Sequence, residues 1–236
     1  AATQHALAYA LDRKQGRAPG AGKDDHDAVS IIQHPDVRRM LLTMRALTDA
    51  SRAICYENGV MADIAESTGD EAARAKNDLL TPISKAFSTD IANEVAAIGV
   101  QVHGGMGFVE ETGAAQHVRD ARILTIYEGT NGIQAMDLVG RKLPLGNGSV
   151  VADYMAEMRE TAETCRQSNS PVLVDIAERL GAAIDVLQDT TDWVMAQKGS
   201  LDVLAGATPY LRLFGLVAGC HYLARGAHVV AKGDVE

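Results

Sequence analysis

The sequence lacks three features that would indicate a secreted or membrane protein. Its three cysteines form no CxxC motif and are too far apart for a recognisable disulfide framework, so we expect a reducing, cytoplasmic environment. The N-terminal segment has neither a basic start nor a long apolar stretch, and no signal peptide is predicted. The most apolar stretch, 201–218, is interrupted by Asp202, Arg212 and a proline, so no membrane span is expected.

Aromatic residues and basic charge are also scarce. Aromatic side chains make up 4% of the 236 residues and runs of β-branched residues are few, which favours helices over strands almost everywhere. The net charge of −9 argues against nucleic acid as a partner, because proteins that bind a phosphate backbone usually carry a basic patch. With 47% hydrophobic residues the chain can form a core, and disorder is excluded. The composition therefore predicts an all-α protein.

Apolar residues at helical spacing mark two long predicted helices. Pro35 opens an apolar stripe of almost thirty residues, and a second stripe runs from Leu80 to Val102 in steps of three and four. Thr68 with Glu71 resembles a capping box for the helix that carries the second stripe. Further helices are predicted at 1–13, 111–120, 131–142, 151–167, 171–198 and 201–231.

Glycine-rich polar segments divide these helices into two regions. Residues 16–34 and 143–150 have the composition of loops. We therefore expect an up-down four-helix bundle core in residues 1–142 and an additional helical region in residues 151–236. Because the chain begins without methionine in the middle of a helical pattern, we also expect it to be a piece of a longer protein.

The segment 99–134 interrupts the helical pattern. Gly104, Gly105 and Gly107 follow the second stripe directly, and glycine permits positive φ angles and a close approach of the backbone to a bulky ligand. Backbone N–H groups in such a turn can bind phosphate oxygens, but glycine clusters also simply end helices. The residues alone leave both interpretations open.

Glu128 is the candidate catalytic residue. It follows an apolar stretch and precedes Gly129, Thr130 and a predicted helix start. A carboxylate among apolar side chains can have a raised pKa, which suits it to proton abstraction; alternatively, Glu128 only stabilises the N-terminus of the next helix. His103 and His117 flank the same region without a second ligand at metal spacing, so they are interpreted as structural and no metal site is predicted.

Three motifs together resemble the C-terminal helical domain of acyl-CoA dehydrogenases. They are YALDRKQGR at residues 9–17, QVHGGMGF at residues 101–108 and YEGTNGIQ at residues 127–134. They occur in the family's order and cover residues 1 to about 142. None of the motifs is specific alone, but their combination is.

The resemblance implies a FAD-dependent oxidation of acyl-CoA thioesters. Glu128 matches the family's base, which removes the α-hydrogen of the acyl group as a proton while the β-hydrogen leaves as hydride to flavin N5. The backbone N–H of this glutamate would hold the thioester carbonyl, which stabilises the developing enolate. An electron acceptor such as electron transfer flavoprotein is implied as partner.

Binding roles follow from the same resemblance. Residues that match FAD-binding positions are Arg13, Gln15, Gln101, Gly104, Gly105, Thr130 and Gln134. Residues that match substrate-binding positions are Tyr127, Gly129 and Arg141, and a helix-end arginine such as Arg141 is equally explained by the helix dipole. The segment 101–105 would reach the FAD of a neighbouring subunit, so a homodimer or homotetramer is expected.

The sequence departs from the common pattern at two places. Gly16 follows Gln15 where many relatives have an aromatic residue, so a stacking contact is missing or replaced. The region 151–236 resembles that of a larger subgroup, which includes enzymes acting on 3-methylmercaptopropionyl-CoA. Two alternatives are a non-catalytic helical assembly module of the same fold and an acyl-CoA oxidase, although a module would not need the carboxylate of Glu128.

Overall fold

The computed structural model describes residues 1–20, 22 and 27–233, and its regular elements are helices. An isolated antiparallel bridge joins Lys14 and Ser30. The predicted all-α class is confirmed. The α-helices are α1 (Ala2–Asp12), α2 (Pro35–Thr68), α3 (Glu71–His103), α4 (Gly105–Phe108), α5 (Ala114–Leu124), α6 (Asn131–Asp137), α7 (Ser149–Arg166), α8 (Pro171–Ala196) and α9 (Leu201–Ala231).

Shorter helical turns connect several of these elements. Ile31–Gln33 and Glu110–Thr112 are 3-10 turns, and Leu138–Lys142 is a π-helical turn that follows α6 directly. The predicted loop 16–34 is therefore irregular only in part. Ala21 and residues 23–26 of this loop lie outside the described residues, as do residues 234–236.

The predicted capping box between α2 and α3 is wrong. The Oδ1 atom of Asp70 accepts hydrogen bonds from the backbone N–H groups of Ala72 (2.8 Å) and Ala73 (3.0 Å), so Asp70 caps α3. The Thr68 hydroxyl instead donates to the Ile64 carbonyl at 2.7 Å. The reason is that α2 continues through Thr68, so this side chain belongs to the last turn of α2.

The chain divides into two compact units that do not follow the sequence order. The first unit contains residues 1–48 and 89–127, and the second contains residues 49–88 and 128–236. Helices α2 and α3 each contribute to both units. The predicted domains, residues 1–142 and residues 151–236, divide the chain in sequence order, and this division stays a prediction.

The first unit is built around small residues of α1. Ala6 and Ala10 are completely buried, and so is Met44 of α2. The side-chain amide of Asn93 in α3 donates to the Ala121 carbonyl of α5 at 3.0 Å. This hydrogen bond joins α3 to α5 within the unit, and α1 and α3 both carry residues of the motifs described above.

The second unit has a core formed by α7, α8 and α9. Its large, fully buried side chains include Met155 and Met158 of α7, and Phe214 of α9. Helix α9 is also long and apolar enough to cross a bilayer by length and composition, with a mean hydropathy of 1.4 over its most apolar window. Half of that window is buried inside the protein, and core helices of folded domains meet the same criteria.

A cluster of charged side chains links α2, α3, α7 and α9 within the second unit. The Lys76 ammonium lies 2.7 Å from Oε1 of Glu57 and 2.6 Å from Oε2 of Glu157, and buried His221 places Nε2 3.5 Å from Oε1 of Glu157. His221 and Lys76 together hold the pKa of Glu157 down to about 2. Because the His221 contact is long, we regard Lys76 as the closer stabilising partner of the carboxylate.

We expect this cluster to make stability depend on acidic pH. The pKa of Glu157 is about 2 in the folded protein against an ordinary value of 4.5, so its stabilising contribution is complete above about pH 4.5 and is lost as the pH falls towards 2. After allowance for its partial exposure, the contribution is about 1–2 kcal/mol. Urea unfolding at about pH 6 and about pH 3 measures it.

Two variants of α7 provide the comparison. Glu157→Gln should flatten the acid dependence, whereas Glu160→Gln, at an exposed position of the same helix, should leave it as in the parent chain. An identical acid dependence in the parent chain and in Glu157→Gln would contradict the role of the cluster.

Candidate functional site

A cleft of about 350 Å³ in the first unit collects three of the predicted FAD-binding residues, Arg13, Gln15 and Gly104. Helix α1 ends just before Arg13, and α3 ends just before Gly104, so two helix ends meet at this cleft. The remaining lining residues are Tyr9, Gly16, Ile31, His34, Val37, Val102 and His103. The sequence motifs at residues 9–17 and 101–108 are thus brought together in space.

The segment after α1 is held against the 3-10 turn before α2. The carbonyl of Gln15 accepts a hydrogen bond of 2.7 Å from Nε2 of His34, and the Arg13 guanidinium donates to Oε1 of Gln15 at 3.4 Å. Gly16 has φ +74°, and a Cβ at this position would lie 3.3 Å from the His34 ring. The imidazole of His34 therefore packs against Gly16, the position at which a stacking contact was expected to be missing or replaced.

The three glycines after α3 have different structural roles. Gly104 has φ +60° and ψ −140°, a conformation almost restricted to glycine, and its N–H donates to the Gln101 carbonyl at 3.1 Å. Gly104 and Gly105 are exposed and have open space where a Cβ would be. A Cβ on Gly107 would lie 2.4 Å from the Val100 carbonyl oxygen. Gly107 is thus needed for packing, and the other two leave the backbone accessible.

His103 forms a buried wall of the cleft. Its Nδ1 lies 2.7 Å from the Gly99 carbonyl oxygen and its ring stacks on Tyr9 with centroids 4.3 Å apart. Burial lowers the pKa values of both His103 and His117. In the described part of the chain no group of His, Cys, Asp and Glu side chains has the arrangement of a metal site. His103 therefore shapes the cleft by packing.

The predicted base lies in a strained turn between α5 and α6. Glu128 has φ +53°, a backbone angle that residues other than glycine rarely adopt, and Gly129 follows with φ +80°. Such a conformation at a non-glycine residue costs about 1–3 kcal/mol and is frequent at functional sites. The side chain of Glu128 is exposed in the described chain, so the expected apolar surroundings are not present there. The reason is that Ile126 and Tyr127, the apolar residues before Glu128, are themselves half-exposed.

Lys85 and Asn131 hold the turn, and neither role was predicted from the sequence. The Lys85 ammonium donates to the Gly129 carbonyl and to Oδ1 of Asn131, each at 2.8 Å. Asn131 is buried, and its amide donates to the Ala86 carbonyl at 3.1 Å. Asn131 lies within the motif at residues 127–134, whereas Lys85 stands out only as a lysine beside the apolar stripe of α3, which is unremarkable by itself.

The residues after Glu128 begin α6. The Thr130 hydroxyl accepts a hydrogen bond of 3.4 Å from the backbone N–H of Ile133, so it caps this helix. The Nε2 atom of Gln134 lies 3.4 Å from the position that a Cβ on Gly129 would occupy. Gly129, Thr130 and Gln134, which the motif predicts as binding residues, are therefore neighbours in the turn.

The other predicted site residues are exposed. Tyr127 is half-exposed and its N–H donates to the Ile123 carbonyl at 3.2 Å, which ends α5. Gln101 is exposed in the last turn of α3. Arg141 is exposed as well and its guanidinium lies 3.1 Å from Oδ1 of Asp137, so the structure gives it a local ion pair.

Comparison with known families accounts for almost the whole chain. The family model described as "Acyl-CoA dehydrogenase, C-terminal domain" matches residues 1–143. A second model, described as "Acetyl-CoA dehydrogenase C-terminal like", matches residues 154–236.

Individual proteins agree with the family models. The chain is 46% identical to 3-methylmercaptopropionyl-CoA dehydrogenase of Ruegeria pomeroyi, over the full chain and 41% of that protein. It is 30% identical, over 60% of the chain and 32% of the relative, to a subunit of the caffeyl-CoA reductase-Etf complex of Acetobacterium woodii. The chain thus spans less than half the length of these relatives.

A solved structure confirms the predicted fold, a four-helix bundle core with additional C-terminal helices. It is an acyl-CoA dehydrogenase of Bacillus anthracis complexed with FAD, which matches with a TM-score of 0.73 and 19% identity over 98% of this chain and 40% of its own. At this identity the match shows the fold alone. With the family model over residues 1–143, the conclusion is that the chain belongs to the acyl-CoA dehydrogenase family.

Proposed function

We propose that the chain supplies the C-terminal part of a FAD-dependent acyl-CoA dehydrogenase in which Glu128 removes the α-proton of the substrate. The observation that carries this proposal is the anchored turn. Glu128 is held there at φ +53°, and the carbonyl of the next residue, Gly129, accepts a hydrogen bond from Lys85 of α3. A strained residue that the surrounding structure holds in place is typical of a functional group.

Abstraction of the α-proton requires the Glu128 carboxylate to lose the water that hydrates it. The α-proton of a thioester is too weakly acidic for a fully hydrated carboxylate, whereas a carboxylate in a water-excluded site is a stronger base. Glu128 is exposed on this chain, so we propose that the bound acyl group, with parts of the protein beyond these residues, displaces that water. The backbone N–H of Glu128 would donate to the thioester carbonyl, where negative charge develops.

The cleft of the first unit fits part of a dinucleotide. Arg13 offers an exposed guanidinium, and Gly104 and Gly105 leave backbone without side-chain cover, as a diphosphate requires. We propose that Arg13, Gln15, Gly104 and Gly105 hold parts of FAD. From the motif we add Gln101, Thr130 and Gln134. When bound, FAD supplies the hydride acceptor.

Partners and location follow from the family as proposals. The substrate is an acyl-CoA, and an electron transfer flavoprotein is the electron acceptor; the name of the Acetobacterium woodii relative, a reductase in an Etf complex, supports such a flavoprotein as a partner. We propose a homodimer or homotetramer in which the segment 101–105 meets the FAD of another subunit. Tyr127, Gly129 and Arg141 would border the acyl-CoA, and the absence of disulfide-like cysteine spacing supports a cytoplasmic protein.

The 236-residue chain alone should bind FAD weakly and catalyse no turnover. The reason is that Glu128 remains exposed to water and the chain spans less than half of its relatives. Retained flavin absorbance after gel filtration with FAD, and dye reduction with an acyl-CoA, measure both properties. The complete protein, loaded with FAD, is the positive control. A yellow chain that reduces the dye would contradict this prediction, and a complete protein inactive with every acyl-CoA would contradict the proposed function.

A further inference from the structure

We propose that Lys85 is a positioning residue for Glu128, whose ammonium group keeps the turn in the conformation that presents the carboxylate to the substrate. The inference rests on the proposed function of Glu128 as the base. It concerns a residue of α3 that is distant from Glu128 in the sequence and belongs to none of the three motifs.

The contacts of Lys85 lie directly after the strained residue of the turn, Glu128. Its ammonium binds the carbonyl of Gly129, directly after Glu128, and Oδ1 of Asn131, the first residue of α6. Both bonds measure 2.8 Å, and hydrogen bonds from a charged donor are stronger than neutral ones. The Lys85 ammonium thus fixes the backbone between Gly129 and Asn131, where the turn passes from positive φ angles into α6.

Asn131 closes the connection back to α3. Its amide donates to the carbonyl of Ala86, the neighbour of Lys85, at 3.1 Å. The turn is therefore tied to two adjacent residues of one long helix, one through a side chain and one through the backbone. A rigid helix is a more precise support for a catalytic group than a loop.

The two consecutive left-handed residues explain why such an anchor is needed. Glu128 at φ +53° would relax towards a negative φ if the carbonyl of Gly129 were released, and its carboxylate would then swing away from its direction in the anchored turn. A misplacement of a reacting group by about 1 Å can cost roughly a hundredfold in rate. Lys85 acts through this geometry and need not contact the substrate itself.

The test uses Lys85→Met in the complete, FAD-loaded protein. Methionine keeps an unbranched side chain but removes the hydrogen bonds of the ammonium to Gly129 and Asn131. We expect the rate of α-proton exchange between an acyl-CoA and deuterated water, and kcat, to fall about 10- to 100-fold. FAD content, Tm and the KM for acyl-CoA should stay close to wild type. Lys85→Arg, which retains a cationic donor, should recover a substantial part of the exchange rate.

A matched control loses a comparable contact elsewhere in the second unit. Lys142 donates to Oδ1 of Asp78 at 2.9 Å and, like Lys85, is partly buried, so Lys142→Met removes this lysine bond without touching the turn. Its exchange rate should equal that of the wild type. A lower rate in this variant, of the size expected for Lys85→Met, would overturn the proposal because the effect would not be specific to the turn.

Two further outcomes would overturn the inference. One is exchange at the wild-type rate in Lys85→Met while Glu128→Gln abolishes it, which would leave the proposed function intact. The other is a loss of folding, FAD or acyl-CoA affinity in Lys85→Met that accounts for the slower exchange, since Lys85 would then be merely structural. Exchange that persists in Glu128→Gln would instead remove the proposed function itself.

Discussion

Glu128→Gln in the complete, FAD-loaded protein is expected to slow flavin reduction by acyl-CoA by about 10²–10⁴-fold. Glutamine has nearly the same shape and can keep the turn, but its amide cannot accept the α-proton. Flavin content should therefore remain normal while the reaction stops at its first step. Stopped-flow absorbance of the flavin after mixing with an acyl-CoA measures the rate.

The control for this prediction is Glu178→Gln, which makes the same chemical change at an exposed position of α8. It should reduce the flavin at the wild-type rate. If Glu128→Gln and Glu178→Gln were equally fast, another residue would have to be the base, and the turn that holds Glu128 would need a different explanation.

Gly215→Ala is expected to destabilise the folded chain by about 2–3 kcal/mol. In the second unit, Gly215 of α9 faces Phe87 of α3 so closely that a Cβ would lie 2.4 Å from two carbons of the phenyl ring. Phe87 is itself buried, so its ring has little room to move aside. Denaturant unfolding of the 236-residue chain gives the change in free energy.

A second glycine of the same helix separates packing from helix propensity. Gly226 of α9 has no atom near the position of a Cβ, so Gly226→Ala should be neutral or stabilise the chain by up to about 1 kcal/mol. Equal effects of the two substitutions would contradict the close contact between α9 and α3. The comparison of Gly215→Ala with Gly226→Ala also tests whether α9, in the region 151–236, shares a core with α3, in the region 1–142.

Helix positions could be predicted from the sequence because they depend on local patterns. Pro35 begins α2 as expected, and the side chain of Ser200 accepts a hydrogen bond of 3.2 Å from the N–H of Val203 at the start of α9. At the start of α8 the Ser170 side chain forms no cap bond, and Pro171 in the first turn marks the start of the helix.

Contacts between distant residues could not be predicted in this way. The bond from Lys85 to Gly129 spans 44 residues, and the bond from Lys76 to Glu157 spans 81. Half-buried lysines on α3 have the same local sequence properties whether they face a carbonyl, a carboxylate or water. Only the packing of helices within the second unit reveals which partner each lysine meets.

For Glu128, the candidate base, the sequence predicted the residue but not its surroundings. The motif singled out Glu128, and a local apolar stretch led to the expectation of a desolvated carboxylate. The structure has the carboxylate exposed on a strained, anchored turn, so burial by neighbours in the sequence was the wrong criterion. Backbone conformation, which depends on distant contacts, distinguishes this residue instead.

The most direct test of the central claim is a crystal structure of the complete protein with FAD and a non-reacting acyl-CoA analogue. We expect a Glu128 carboxylate oxygen roughly 3–3.5 Å from the α-carbon of the analogue, with water excluded from the site and the hydrogen bond from Lys85 to the Gly129 carbonyl retained. A Glu128 side chain that points into solvent, with a different basic group beside the α-carbon, would contradict it.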